Sequence, residues 1–124
     1  MWEKFVFLCT LAATTCLMRG PVGAIARTDH GASVALDMLG ECIATATADG
    51  FPPREAHAAY CRNTVTDRDS PVVASMLRDL QRGGQIEAEP IVGDMLARAL
   101  AAGQNAPMLR AAYSHLQVYQ ASLA

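Results

Sequence analysis

The side chains able to do chemistry fall into three groups along this chain. Lys4 opens a long apolar stretch, with Leu8 and Ala12 following at four-residue intervals, so the three stack on nearly one face of a helix. Ser75, Asp79 and Glu87 lie in and just after Ser75-Met76-Leu77-Arg78-Asp79-Leu80, the last of them beyond Gly83-Gly84. His57 and Cys61 stand one helical turn apart. By residue type alone each has a plain structural reading. A lysine beside a helix start is ordinarily a solvated surface group. Ser75 serves as a small packing residue, Asp79 as a partner for Arg78 or Arg82, and Glu87 as a residue favourable to a helix N-terminus. His57 and Cys61 offer two metal ligands, or a base and a nucleophile, but two residues complete neither site. His30 and His115 have no acidic or cysteine partners at ligand spacing, so no metal site is expected.

The elements that must position these residues read as helices. The first is expected from Trp2 to about Met18, almost unbroken apolar sequence from Phe5 on, and ends before Gly20-Pro21, where glycine suits a left-handed turn and proline cannot continue the helix. Asp29 is placed to cap a second helix, in which Val34, Leu36, Leu39, Ile43 and Ala46 keep a mostly helical spacing until Gly50. A third helix is expected from Arg54 to about Thr66, with Pro53 at its first position, and a fourth from Ser70-Pro71 through Leu80. A fifth spans Ile86 to Ala102, with the helix either starting near Pro90 or kinked there, and Gly103 ends it. The last begins near Pro107 and carries Leu109, Ala112, Tyr113, Leu116 and Tyr119 on one side. No repeat, low-complexity tract or sustained strand-like alternation interrupts this pattern.

Composition agrees. At 124 residues the chain fits one compact domain, 52% hydrophobic and 18% charged, alanine-rich and poor in aromatic residues. A net charge of −2 gives no basic field for nucleic acid phosphates, and the tyrosine stripe lacks the basic surroundings of a base-stacking platform. The four cysteines, at 9, 16, 42 and 61, form no C-x-x-C pair and read as buried, reduced and structural. Phe5 to Met18 imitates the apolar region of a secretory signal, with Val22-Gly23-Ala24 as a small-residue cleavage site. Glu3 offsets Lys4, Arg19 follows the apolar run directly, and the run is short for a span of about 20 residues. A buried core helix is the expectation, in a cytoplasmic protein that does not enter a membrane.

The ordered combination Trp2-Glu3-Lys4, then Ser75-Met76-Leu77-x-Asp79, then Glu87 resembles the C-terminal helical domain of the ketopantoate reductases, the 2-dehydropantoate 2-reductases of pantothenate biosynthesis. Gly93-Asp94, Gly103 and Pro107 extend the likeness over Trp2 to Tyr119. The resemblance implies an all-α bundle of the 6-phosphogluconate dehydrogenase C-terminal-domain type over residues 1–124, the N-terminal Rossmann domain being absent. It implies Lys4 as the catalytic acid, giving a proton to the substrate carbonyl while hydride arrives from NADPH. Ser75 then binds substrate, and Glu87 contacts substrate or cofactor. The family commonly carries asparagines where this chain has Leu8, Ala12 and Val22, which argues against ketopantoate itself, because a buried polar substrate group left unpaired costs about 1–3 kcal/mol.

Two functions follow as expectations. One is half of an NADP-dependent oxidoreductase that converts a small 2-keto acid to a 2-hydroxy acid. It is inactive and without tightly bound NADP until a separate Rossmann domain completes it, and it is a homodimer. The alternative is a non-catalytic helical dimerisation or protein-interaction module, using the apolar surface uncovered on the cleft side.

Overall fold

The computed structural model describes residues 1–123, and every regular element in them is helical. The order is α1 (Trp2–Met18), α2 (Val22–Ala26), α3 (Gly31–Ala48), α4 (Glu55–Val65) and α5 (Ser75–Gln81). A π-helical turn (Glu89–Gly93) then runs directly into α6 (Asp94–Ala101), and α7 (Pro107–Ala121) closes the chain.

α1 is the axle of the fold, packing against α2, α3, α4, α5, α7 and the π turn. Every residue from Cys9 to Cys16 is buried, as expected for a helix that is apolar all round. The small side chains of Ala12 and Ala13 let neighbours approach closely, while Thr10 and Thr15 donate their hydroxyls to the carbonyls of Val6 and Leu11, each at 2.8 Å. The apolar stretch that imitates a secretory signal is therefore core in this fold. Among the described residues no helix is long and apolar enough to cross a membrane. Around α1 lie Met38 and Leu39 of α3, Leu77 of α5, Met95 of α6, and Leu109 and Leu116 of α7, all essentially inaccessible. Each such side chain contributes about 1.5–3 kcal/mol through burial. All four cysteines are buried free thiols, and burial pushes Cys16 up to about 12.

Several boundaries differ from the sequence expectation, each for a physical reason. The left-handed residue after α1 is Arg19 (φ 61°) rather than Gly20, at an exposed position. A short helix not expected from the sequence, α2, packs so closely on the start of α3 that a Cβ on Gly31 would lie 1.8 Å from the Ile25 carbonyl. α3 therefore begins at Gly31 with no side-chain cap, and Asp29 does not cap it. α4 starts at Glu55, not Arg54, because the Glu3 carboxylate of α1 takes the Arg54 N–H at 2.9 Å and clasps its guanidinium at 3.0 and 2.8 Å. Pro53 lies outside the helix.

α5 begins at Ser75 rather than at Ser70-Pro71. The intervening backbone is committed elsewhere: the Val72 carbonyl accepts Val22 N–H (2.9 Å), the Ser70 carbonyl accepts Gly23 N–H (2.8 Å), and Ala74 N–H reaches the Thr15 hydroxyl (3.4 Å). Gly23 is required by this seam, since a Cβ there would sit 2.6 Å from the Ser70 carbonyl. Pro90 falls in the first turn of the π segment, where its missing N–H does no harm, so the helix starts there instead of kinking. α7 opens at Pro107 as expected, and its first free N–H groups, on Met108 and Leu109, are taken by the Glu41 carboxylate of α3 at 2.9 and 2.8 Å.

Candidate active site

The seam between α2 and residues 70–74 fixes where α5 starts, and therefore where Ser75 points. Ser75 is the first residue of α5, exposed, with Asp79 one turn further on the same face. α5 ends in a turn in which Gly83 has φ 75° and Gly84 N–H returns to the Asp79 carbonyl at 2.9 Å. The connector then brings Gln85 and Glu87 back beside α5. Ser75, Asp79 and Glu87, with Met76, Gln85, Ile86 and Ile91, line one open cleft of about 230 Å³. Asp79 is not the partner of Arg78 or Arg82: neither arginine forms an ion pair among the described residues. Its side chain belongs to the cleft.

The connector is held from behind by α7. Tyr119 donates its hydroxyl to the Gly84 carbonyl (2.7 Å), and the Gln120 amide reaches the Ile86 carbonyl (3.4 Å). Tyr113 donates to the Glu89 carboxylate, which holds the tyrosine hydroxyl above its usual titration range. Gly93 makes room for that pair, since a Cβ there would lie 2.9 Å from Glu89 Oε2 and 3.1 Å from the Tyr113 ring. Glu87 itself stays exposed between these anchored neighbours. The α7 contacts were not foreseen from the sequence, in which Tyr113 and Tyr119 read only as a core and interface stripe.

Lys4 does not line the cleft. It lies exposed on α1 and forms no ion pair or hydrogen bond among the described residues. Its neighbour Glu3 is fully engaged by Arg54, whose hydrogen bonds pull the carboxyl down to about 2. The helix face bearing Lys4 also bears Thr15, which meets the residue preceding Ser75. The structure therefore gathers Ser75, Asp79 and Glu87 in one cleft and leaves Lys4 on the adjoining helix, connected to it through α1. Of Leu8, Ala12 and Val22, only Leu8 is open; the other two are core.

His57 and Cys61 touch, with Nε2 to Sγ at 3.4 Å, yet they form a structural tie. Nε2 lies 2.9 Å from the Glu3 carbonyl, an acceptor only, so it carries the proton and is no base for the thiol. Burial pushes the Cys61 thiol up, away from the thiolate. Among the described residues no three His, Cys, Asp or Glu side chains converge as metal ligands. A larger cavity of about 470 Å³ beside Met1, Trp2, Phe51 and Pro52 is aromatic, and the charges it holds, Glu3 and Arg54, already satisfy each other.

The described residues thus form an all-helical domain with an open polar cleft on one edge and a lysine exposed on its central helix. Residues 1–120 match the family described as ketopantoate reductase PanE/ApbA, C terminal. The chain belongs to the ketopantoate reductase family, as its C-terminal helical domain. It is 30% identical to the uncharacterized oxidoreductase YkpB of Bacillus subtilis over 121 residues, 98% of this chain and 40% of that protein. The fold superposes with a TM-score of 0.85 on a PanE/ApbA family ketopantoate reductase from Ralstonia eutropha JMP134, at 24% identity over 99% of this chain and 41% of the other. A dimeric ketopantoate reductase from Staphylococcus aureus gives the same score at 22% identity, covering 99% of this chain and 43% of that one. The chain thus spans about two fifths of the length of these relatives.

Proposed function

We propose that this chain is the substrate-side half of an NADP-dependent reductase acting on a small 2-oxo acid. The observation that carries this reading is the convergence of Ser75, Asp79 and Glu87 on one open cleft. Lys4 lies outside that cleft on α1, the helix whose Thr15 hydroxyl accepts the N–H of Ala74, the residue before Ser75.

Its groups do not fit the dinucleotide's own site. No strand, and so no glycine-rich turn from strand to helix that receives a pyrophosphate, occurs among the described residues. NADPH therefore belongs to a separate Rossmann domain, and when bound it supplies the hydride. This chain's contribution is the rest. The Lys4 ammonium gives a proton to the carbonyl oxygen as negative charge develops there, which yields a 2-hydroxy acid. Ser75 hydrogen-bonds the substrate. Glu87, held by its α7-anchored flanks, sets the edge against which substrate and cofactor meet. The assembly is a homodimer in the cytoplasm.

The test is NADPH oxidation with 2-oxo acids by the purified chain, alone and with a Rossmann domain from a related reductase. Turnover only in the second arrangement is the expected result. Turnover by the chain alone, or in neither arrangement, contradicts the proposal. The alternative, a non-catalytic association module, draws on exposed apolar side chains such as Phe51 and Val118, 58% and 72% accessible. Failure of the completed enzyme, combined with a dimer by light scattering, would favour it.

A further inference from the structure

We propose that Tyr113 is a positioning residue for the Ser75–Glu87 cleft, setting where Glu87 and Ile91 stand by bracing the π-helical turn beside them; the inference rests on the reductase reading above. Glu87 is exposed and forms no ion pair among the described residues, so its place in the cleft is set by its backbone. That backbone is pinned from α7 on both sides. Before Glu87, the Gly84 carbonyl accepts from Tyr119 and the Ile86 carbonyl from Gln120. After it, the Glu89 carboxylate accepts from the Tyr113 hydroxyl.

The last of these contacts differs in kind. Glu89 and Gly93 are the first and last residues of the π turn, and Tyr113 meets both. Its hydroxyl donates to the Glu89 carboxylate, while its ring lies over Gly93, so close that a Cβ there would be 3.1 Å from it. The turn itself closes through Asp94 N–H, which donates to the Glu89 carbonyl five residues back. Single π turns are rare and recur at functional sites. Ile91, the middle residue of this one, lines the cleft together with Ile86 and Glu87. A turn freed from Tyr113 can tighten towards α geometry, which would rotate Ile91 and Glu87 relative to Ser75 on α5. Tyr113 does not line the cleft, so it acts through these residues and not on the substrate.

The experiment uses the full chain completed with a Rossmann domain from a related reductase. Tyr113→Phe, which keeps the ring and loses the hydroxyl, is expected to lower kcat/KM for 2-oxo acids about 10- to 100-fold with the melting temperature nearly unchanged. Glu89→Gln still offers the hydroxyl an acceptor and retains most of the activity. The decisive readout is a double-mutant cycle: in a Glu87→Ala background, Tyr113→Phe costs less than about twofold more, because the two residues act as one unit. Should Tyr113→Phe fail to fold, Glu89→Ala removes the same bond from its other end and takes its place in the cycle. Full activity in the single variant, or a loss that repeats undiminished without Glu87, overturns the positioning role and leaves the reductase reading standing. If the folded, completed parent reduces no 2-oxo acid, the reductase reading itself fails and this inference fails with it.

Discussion

Glu3 and Lys4 are adjacent in the chain and belong to opposite kinds of surface. Around Glu3 the charges are matched: Arg54 clasps it, Arg62 pairs with Glu55, and Arg98 bridges Asp49 and Asp94. Around Lys4 and along the Ser75–Glu87 edge, no side chain forms an ion pair among the described residues. The matched region also carries the interlocks that hold helices together, including the His57 tie from α4 to α1. The unmatched region is instead held by its backbone, through the Gly23 seam and the Tyr119 and Gln120 contacts. A surface whose frame is fixed while its side chains stay open is suited to receiving a ligand. A surface whose side chains saturate one another is suited to stability.

The contrast can be broken first from the core that both regions share. Leu77→Ala, on the buried face of α5, is expected to cost about 2–5 kcal/mol in urea unfolding, because the cavity cannot fill. Tyr119→Phe removes one hydrogen bond to the Gly84 carbonyl and is expected to cost about 0.5–1.5 kcal/mol. Its sharper signature is local: amide exchange at Gln85 to Glu87 speeds up while α3 is unchanged.

In the matched region, pH is the probe. Because Glu3 titrates at about 2 when folded against an ordinary value of 4.5, its contribution is present above 4.5 and is lost as pH falls towards 2. Thermal melts of Glu3→Gln should therefore lose part of the acid-limb slope between those values. Its partner Arg54 is largely open to solvent, which screens the pair, so the effect is small. Smallest of all, Ser75→Ala and Glu87→Ala should leave stability within about 0.5 kcal/mol of the parent, since neither side chain is buried or paired. A large loss at either position would mean that the cleft edge is structural.

Much of this architecture was legible in the chain. The apolar run of α1, the glycine after α6 and the proline opening α7 are local signals, and they place the span of α1, the end of α6 and the start of α7 to within a residue or two. α2 and the late start of α5 were hidden because both depend on one tertiary seam, in which the Val22 and Gly23 N–H groups donate to the Val72 and Ser70 carbonyls from nearly 50 positions away. α4 was off by one residue for a similar reason, its first N–H being taken by a carboxylate 51 positions away. At the site, the spacing of Ser75 and Asp79 already put them on one face. The membership of Asp79 in the cleft follows only once the connector folds back. The support from α7 has no local signature, since nothing about Tyr119 reveals that it reaches Gly84.

The central claim is that this domain contributes the proton-donating half of a reductase cleft, and Lys4→Ala in the chain completed by a cofactor-binding domain tests it most directly. The account predicts a fall in kcat of about 10²–10⁴-fold, with the melting temperature and NADPH affinity unchanged, because Lys4 is exposed and structurally unengaged. Activity retained within a few fold would contradict it and assign the proton to another group.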